Sequence, residues 1–353
     1  MDHALRYGLA FVVPLAVTLV LTRPAARLAR RLGIIDNPSG QKFHREATPY
    51  LGGAALAAGL VGVGAVAAGA SAQLGVILLG GLVLAVWGLM DDWMTLSPSI
   101  RLLIEAAAGI ALWLAGIRAG LFGVEILDLL LTVAWVIAIT NALNLLDNMD
   151  GLAAGVGAVA ALTFFAIGAS RGDYLVGSFA LALAGASVGF LRHNLPPASI
   201  FLGDAGALML GFLLAALGLK LDLIGEDGLV RSAVPALILG VPLFDTTLVV
   251  IDRIRGGRPV FLGGTDHSSH RLVSSGLSHR AVTAVNVVAE AACCLVALWL
   301  LTLPFEESVA LVAAAVAAAV AALLLLLRIR PGVRANELAD PTRRLALGPH
   351  HRG

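Results

Sequence analysis

The chain has 353 residues, of which 59% are apolar and a further 40 are glycine, while only 47 carry charge, 24 as Lys or Arg and 23 as Asp or Glu. About a quarter of the residues of a soluble domain are charged, so this balance excludes an ordinary water-soluble globule and makes lipid the solvent for much of the chain. A net charge of +1 gives no sign of a nucleic-acid partner, and the information lies in where the charges sit.

Crossing about 30 Å of hydrocarbon takes roughly 20 apolar residues in a helix. Eleven segments meet that need: 7–22, 51–70, 74–90, 102–117, 126–143, 152–170, 174–191, 205–221, 232–251, 282–302 and 306–327. The expected fold is therefore all-α, a polytopic membrane helix bundle of about 11 transmembrane helices. Residues 1–330 form one integral-membrane domain, and 331–353 a basic tail without fixed structure. Many segments are rich in Gly and Ala, which suits close helix contact within a bundle. The first segment follows Arg6 and precedes four arginines with no small-residue cleavage site, so it reads as a span and not a signal peptide. Cys293 and Cys294 are adjacent within the tenth segment and read as small buried residues.

Counting Lys and Arg by loop parity puts 19 of the 24 on one side, among them Arg23, Arg27, Arg30, Arg31, Lys42, Arg45, Arg101 and Arg192, and 5 on the other. The positive-inside rule then places the N-terminus outside and the C-terminus in the cytoplasm. The same parity gathers the unusual polar residues on the cytoplasmic side, in five loops: 24–50, 91–101, 144–151, 192–204 and 252–280.

In chain order, the first loop reads DNPSGQKFHREATPYLGG and offers Lys42 and His44, an ammonium and an imidazole suited to phosphate. Next, Asp91 and Asp92 end the third segment, and adjacent carboxylates at a membrane boundary call for a divalent cation or a phosphate proton. The third stretch, NALNLLDNMDGLAAG, holds Asn141, Asn144, Asp147, Asn148 and Asp150; so many oxygen-bearing groups between two apolar spans are too costly to be packing. At 100° per residue the three Asn share a stripe, but Asp147 and Asp150 leave it, so the helix should unwind before Gly151. In the fourth, RHNLPPASIFLGDAG, Asn194 precedes a Pro pair and Asp204 sits in a glycine frame at a helix start, as an N-cap or a metal-bound phosphate site. The fifth loop packs Asp266, His267, His270 and Arg271 into six positions, the makings of a phosphate or sugar clamp.

Carboxylates and amides from three loops with Lys, His and Arg from two others suit the transfer of phosphate between two anionic partners around a hard cation, Mg²⁺ with Mn²⁺ as a substitute. One partner should be carried by lipid, because the site lies at the membrane surface.

In their order these stretches resemble the polyprenyl-phosphate N-acetylhexosamine-1-phosphate transferase family. The match runs through DNPSGQKFHREATPYLGG, GLMDDWMTLSPSIRL, NALNLLDNMDGLAAG, IFLGDAGALMLGF, PLFDTTLVVIDRIRGGRP and DHSSHRL, from residue 36 to 272. The resemblance implies a bacterial inner-membrane enzyme that moves a sugar-1-phosphate from a UDP-sugar to undecaprenyl phosphate and releases UMP, early in a cell-envelope polysaccharide pathway. It implies a catalytic pair in Asp91 and Asp92, Mg²⁺ held by Asn144 and Asp204, and uridine contacts from Asp147, Asp150, Asn194 and Phe201. His267, His270 and Arg271 would meet sugar and phosphates, and Lys42 and His44 form the first-loop basic pair; Asn141 and Asp266 complete the substrate-facing set.

Three departures bear on the substrate. Trp93, Met94 and Thr95 follow the aspartate pair where a further carboxylate is common, Asn148 replaces a usual glycine, and Ser269 replaces a histidine. The last speaks against the UDP-MurNAc-pentapeptide branch and for a UDP-GlcNAc branch. A homodimer through lipid-facing helices is compatible with the sequence. Two other classes compete: a Mg²⁺-dependent membrane prenyltransferase, which would want DDxxD-type repeats, and a transporter using Glu105, Asp245 or Glu290 inside the bundle.

Overall fold

The computed structural model describes residues 3–36, 47–94, 96–221, 228–260 and 264–329. Among these residues fourteen helices run in chain order: α1 (His3–Leu32), α2 (Gly52–Ala70), α3 (Ala72–Met94), α4 (Pro98–Leu114), α5 (Glu125–Leu146), α6 (Leu152–Ser170), α7 (Tyr174–Asn194), α8 (Gly203–Lys220), α9 (Gly228–Arg231), α10 (Ala233–Ile238), α11 (Gly240–Arg255), α12 (Ser268–Ser274), α13 (His279–Leu300) and α14 (Phe305–Leu327). Among the described residues the one regular element besides helix is a pair of two-residue strands, β1 (Ile35–Asp36) and β2 (Thr48–Pro49), antiparallel with Ile35 opposite Pro49. They fasten the two ends of the first polar loop. Lys42, His44 and the 331–353 tail lie outside the described residues.

Eight helices, α1, α3, α5, α6, α7, α8, α13 and α14, are long and apolar enough to cross a bilayer. The other three apolar segments read from the sequence fall on α2, on the 17-residue α4 and on α10 with α11. That ninth segment is not one helix. It breaks at Leu239, and Pro242, which has no N–H, follows in the first turn of α11. The break leaves the Val241 N–H without a helical acceptor, and Glu290 of α13 supplies one at 3.0 Å. An interrupted helix survives in an apolar bundle only when its freed backbone groups are satisfied in this way.

Of the eight candidate spans α8 is the most deeply buried. It packs on α2, α3, α5, α6 and α7, and every residue from Ala205 to Gly218 is buried. A helix that is apolar all round must be enclosed by protein or by lipid. Protein encloses α8, whereas α14, the more apolar of the two, buries only Ser308 and turns Val316, Val320, Leu324 and Leu325 outward. The two differ in glycine, of which α8 carries four and α14 none. A Cβ added to Gly53 of α2 would stand 2.1 Å from the Gly206 backbone nitrogen of α8, so the two helices touch backbone to backbone. Such contact is the chief source of association where neighbouring lipid is as apolar as a side chain.

The three intramembrane acids Glu105, Asp245 and Glu290 are all buried within the bundle. Cys293 and Cys294 are free thiols on α13.

Gly53→Val should separate α2 from α8, since the clash is with backbone that no rotamer change relieves. We expect it to cost about 1–3 kcal/mol, read as a lower thermal midpoint in detergent. An unchanged midpoint would show that the helices do not meet as described.

Candidate active site

The site is assembled at one end of the bundle from the tips of α3, α4, α5 and α8. Gly203 takes a left-handed backbone, φ 71°, and turns the chain into α8. The first N–H groups of that helix have no acceptor of their own. Asp92, at the end of α3, fills the gap: its carboxylate accepts from Asp204 N at 2.9 Å and from Ala205 N at 3.3 Å. A negative charge at the positive end of the helix dipole strengthens both bonds. Residue 203 must also be glycine because a Cβ there would lie 2.6 Å from the Asp92 Oδ2.

With α8 fixed in this way, Asp204 meets α5. Asn144 donates from Nδ2 to Asp204 Oδ1 at 2.7 Å, and Asn144 Oδ1 accepts from Arg101 Nη1 at 3.3 Å. Arg101, in the first turn of α4, also stands 3.9 Å from both Asp91 and Asp204. Asp91 accepts from the Leu96 N–H through its other oxygen. Asp147 lies just past the end of α5. Its carboxyl is held well above the usual carboxylate range, first by burial and then by the charges of Asp204, Asp92 and Asp150, although the Gly203 N–H opposes this. Asp91, Asp92, Asp147 and Asp204 thus gather at this end of the bundle, and among the described residues Arg101 stands near two of them, Asp91 and Asp204.

A divalent cation would relieve that excess. Among the described residues no three His, Cys, Asp or Glu side chains converge as a closed metal cage. The set offered by Asp204 and Asn144, with Asp91 across Arg101, is small and made of oxygen, and it fits Mg²⁺, which binds through one or two carboxylates and leaves the remaining positions to water and substrate phosphates.

Other residues singled out in the sequence turn inward. Asn141 donates to Glu105 and, at 2.9 Å, to the Ile137 carbonyl, one turn deeper than Asn144. Asn194 is buried, with its oxygen on Gly151 N at 2.9 Å and its amide on Ile200 O at 3.0 Å. Asp150 accepts from Ala198 N at 2.9 Å. These two residues clamp the loop between α7 and α8 to the turn between α5 and α6. In the same loop the Phe201 ring lies 5.9 Å from Tyr50, and the carbonyls of Phe201 and Leu202 receive the Gly52 and Gly53 N–H groups that start α2.

The histidine segment is a second cluster. His267 Nδ1 lies 2.8 Å from Asp245, which also accepts from Ser268 N at 2.7 Å, so α11 orients α12. The His267 and His270 rings are 5.6 Å apart. Ser269, in the place where a histidine was expected, donates to Asn148 and ties this cluster to the α5–α6 turn. Asp266 and Arg271 serve the fold. Asp266 forms a buried bidentate pair with Arg253, at 2.7 and 2.9 Å. Burial pushes its carboxyl up, but those hydrogen bonds and the Arg253 charge outweigh burial and hold it below the usual range. Arg271 is buried, pairs with Asp252 at 2.9 Å and donates to the Leu326 and Ile329 carbonyls at the end of α14. Burial, followed by the nearby His267 charge, lowers the His270 pKa to about 4.

The sequence reading left Arg101, Asp245 and Arg253 out of the site. Arg101 was visible as the lone basic residue between the third and fourth segments. Asp245 stood out as an acid within an apolar segment and Arg253 lies in the same matched stretch, but their partners, His267 and Asp266, lie on other elements.

The Glycosyl transferase family 4 model matches residues 74–222, which contain the Asp91, Asn144 and Asp204 cluster. A probable undecaprenyl-phosphate N-acetylglucosaminyl 1-phosphate transferase of Bacillus subtilis is 36% identical over 290 residues, covering 79% of this chain and 80% of its own. The chain belongs to this family of membrane transferases. A decaprenyl-phosphate N-acetylglucosaminephosphotransferase of Mycobacterium tuberculosis is 33% identical over 307 residues, 76% of each chain. A phospho-N-acetylmuramoyl-pentapeptide-transferase of Synechococcus, also 33% identical, matches over a shorter 253 residues, 63% of this chain and 66% of its own.

Asp266→Asn should leave Arg253 buried and unpaired at a cost of about 3–5 kcal/mol, read as a lower unfolding midpoint; an Arg253→Met, Asp266→Leu double variant should recover part of it. Stability unchanged in Asp266→Asn would remove the pair from the fold's support.

His270 predicts a pH dependence whose sign follows from its depressed pKa. Between the ordinary value of 6.5 and about 4 the unfolded chain binds the proton and the folded chain does not, so stability falls as pH drops through that window. Thermal midpoints should decline from pH 7 to pH 5, and His270→Gln should flatten part of the decline. An equal slope in both proteins would contradict the assignment.

Proposed function

We infer that the protein transfers GlcNAc-1-phosphate from UDP-GlcNAc to a polyprenyl phosphate, undecaprenyl phosphate by preference, and releases UMP. The observation that carries this reading is the joining of Asp91, Arg101, Asn144 and Asp204 at the tips of four helices by a single helix-capping carboxylate, Asp92. Family membership and the names of the two N-acetylglucosamine-phosphate transferases above support it. The shorter match to the pentapeptide enzyme and the Ser269 substitution favour the UDP-GlcNAc branch.

Within this reading the chain crosses a bacterial inner membrane eleven times, N-terminus outside, and the site opens to the cytoplasm. The 19 to 5 division of basic residues supports that orientation. Asp204 and Asn144 would hold Mg²⁺, which supplies charge neutralisation at the pyrophosphate when bound. The two aspartates of the pair divide the work. Asp92 is committed to two backbone N–H groups and acts as a positioning residue. Asp91 keeps one oxygen toward Arg101 and Asp204, and orients the lipid phosphate for attack on the β-phosphorus, with UMP leaving on the opposite side. Arg101 offers a fork of donors to the transferring phosphate, at the point where positioning and charge complementarity provide most of the catalysis of phosphoryl transfer. His267, fixed by Asp245, and neutral His270 line the approach for the sugar phosphate. Asn194 and Asp150 hold the Phe201 loop against which the uridine base would rest.

Membranes carrying the protein, supplied with undecaprenyl phosphate, Mg²⁺ and a panel of UDP-sugars, should release UMP with UDP-GlcNAc. Asp204→Asn should lower turnover by at least about a hundredfold. Absence of UMP from every sugar would overturn the transferase reading, and release with UDP-MurNAc-pentapeptide alone would overturn the branch.

A further inference from the structure

A cavity of about 610 Å³ lies outside the transferase cluster, between the end of α1 and the loop that follows α7. Arg23, Arg27, Arg30 and Arg192 line it, with His193 and the Leu195–Pro197 edge of the loop. Neither Asp91, Asp92, Asn144, Asp147 nor Asp204 is part of its wall.

Three features make this more than a solvated basic helix end. At 100° per residue, positions 23, 27 and 30 fall within an arc of about 60°, so three guanidinium groups leave α1 on one face, and Arg192 meets them from α7. Among the described residues no carboxylate pairs with any of the four, whereas four arginines elsewhere, Arg101, Arg253, Arg258 and Arg271, have acidic partners. The walls are also fixed: His193 Nε2 lies 3.1 Å from the Leu19 carbonyl, and Ser199 bonds back to the His193 carbonyl at 2.9 Å through both its backbone N–H and its hydroxyl. The positive-inside tendency accounts for arginines at this end of α1, but not for their convergence with Arg192 on one concavity.

The surface beside the cavity is apolar. One turn before Arg23, Val20 is 65% and Leu21 38% exposed, and Leu28 is 50% exposed between Arg27 and Arg30. An occupant with a phosphate head and hydrocarbon tails would satisfy both surfaces: guanidinium forks take phosphate oxygens in pairs, while the tails run along α1. We propose that this cavity binds the phosphate headgroup of an anionic membrane phospholipid, as a resident lipid site separate from the transferase centre. The same loop runs on through Phe201 to Asp204, so an occupied cavity braces the segment on which the metal-side aspartate stands.

The test uses the whole protein in nanodiscs of phosphatidylcholine doped with phosphatidylglycerol, with the lipids kept after detergent extraction counted by native mass spectrometry. The wild-type chain should keep phosphatidylglycerol in preference to phosphatidylcholine. Arg23→Gln/Arg27→Gln/Arg30→Gln should lower that retention about tenfold or more, and Arg27→Gln alone should lower it measurably. Arg31→Gln removes the same charge from the same helix outside the cavity and should leave retention as in the wild type; so should Asp204→Asn, which disables the transferase centre. If the triple variant does not fold, as judged by its thermal midpoint in phosphatidylcholine alone, Arg192→Gln takes its place. Equal losses in Arg27→Gln and Arg31→Gln would reduce the effect to diffuse surface charge and overturn the proposal, as would wild-type retention in the triple variant. Displacement of phosphatidylglycerol by millimolar inorganic phosphate would make the site one for free phosphate and overturn its assignment to a lipid.

Discussion

The N-terminus of α8 is enclosed by other helices, and its unpaired N–H groups would be costly there without an acceptor. The Asp92 carboxylate removes that cost with two hydrogen bonds. The consequences spread in both directions. Along α8, the capped end lets an all-apolar helix of close-packed small residues fill the middle of the bundle. At the tip, the same bonds place Asp204 against Asn144 and Arg101. One carboxylate thus serves the fold and the chemistry together, and its partner Asp91, beside it in sequence, is left with an oxygen for substrate. Adjacent identical residues have different functions because one sits under a helix end and the other does not.

Much of this was legible in the sequence. Composition and apolar runs led directly to a membrane bundle, because a helix across lipid leaves a 20-residue record in one dimension. The unwinding of α5 before Gly151 followed from the drift of Asp147 off the asparagine stripe, and Gly151 does take a left-handed backbone, φ 73°. Loop parity put the loops that carry Asp91, Asn144 and Asp204 on one side, and the family resemblance singled out these residues within them.

What escaped was the partner of each polar group. Asn194 and Asp150 carry the same local signature as Asn144, a polar side chain near a helix end, yet their hydrogen bonds close on loop backbone. Asp266 and Arg271 were read as a clamp for substrate because four polar residues in six positions look like a site. Their charges are instead taken up by Arg253 and Asp252, placed by the turn that ends α11. The broken ninth segment was hidden for the same reason. Its apolar count suits one helix, and the acceptor that makes the break tolerable is Glu290, about fifty positions away.

Arg271 joins the histidine segment to α14, the helix least covered by protein, through the Leu326 and Ile329 carbonyls. Those carbonyls close the last turn of a helix whose sides face hydrocarbon. The wall of the protein that lipid touches and the segment that carries His267 and His270 are thereby one mechanical unit: α14 cannot tilt or slide in the bilayer without drawing on the same guanidinium that seats the histidines.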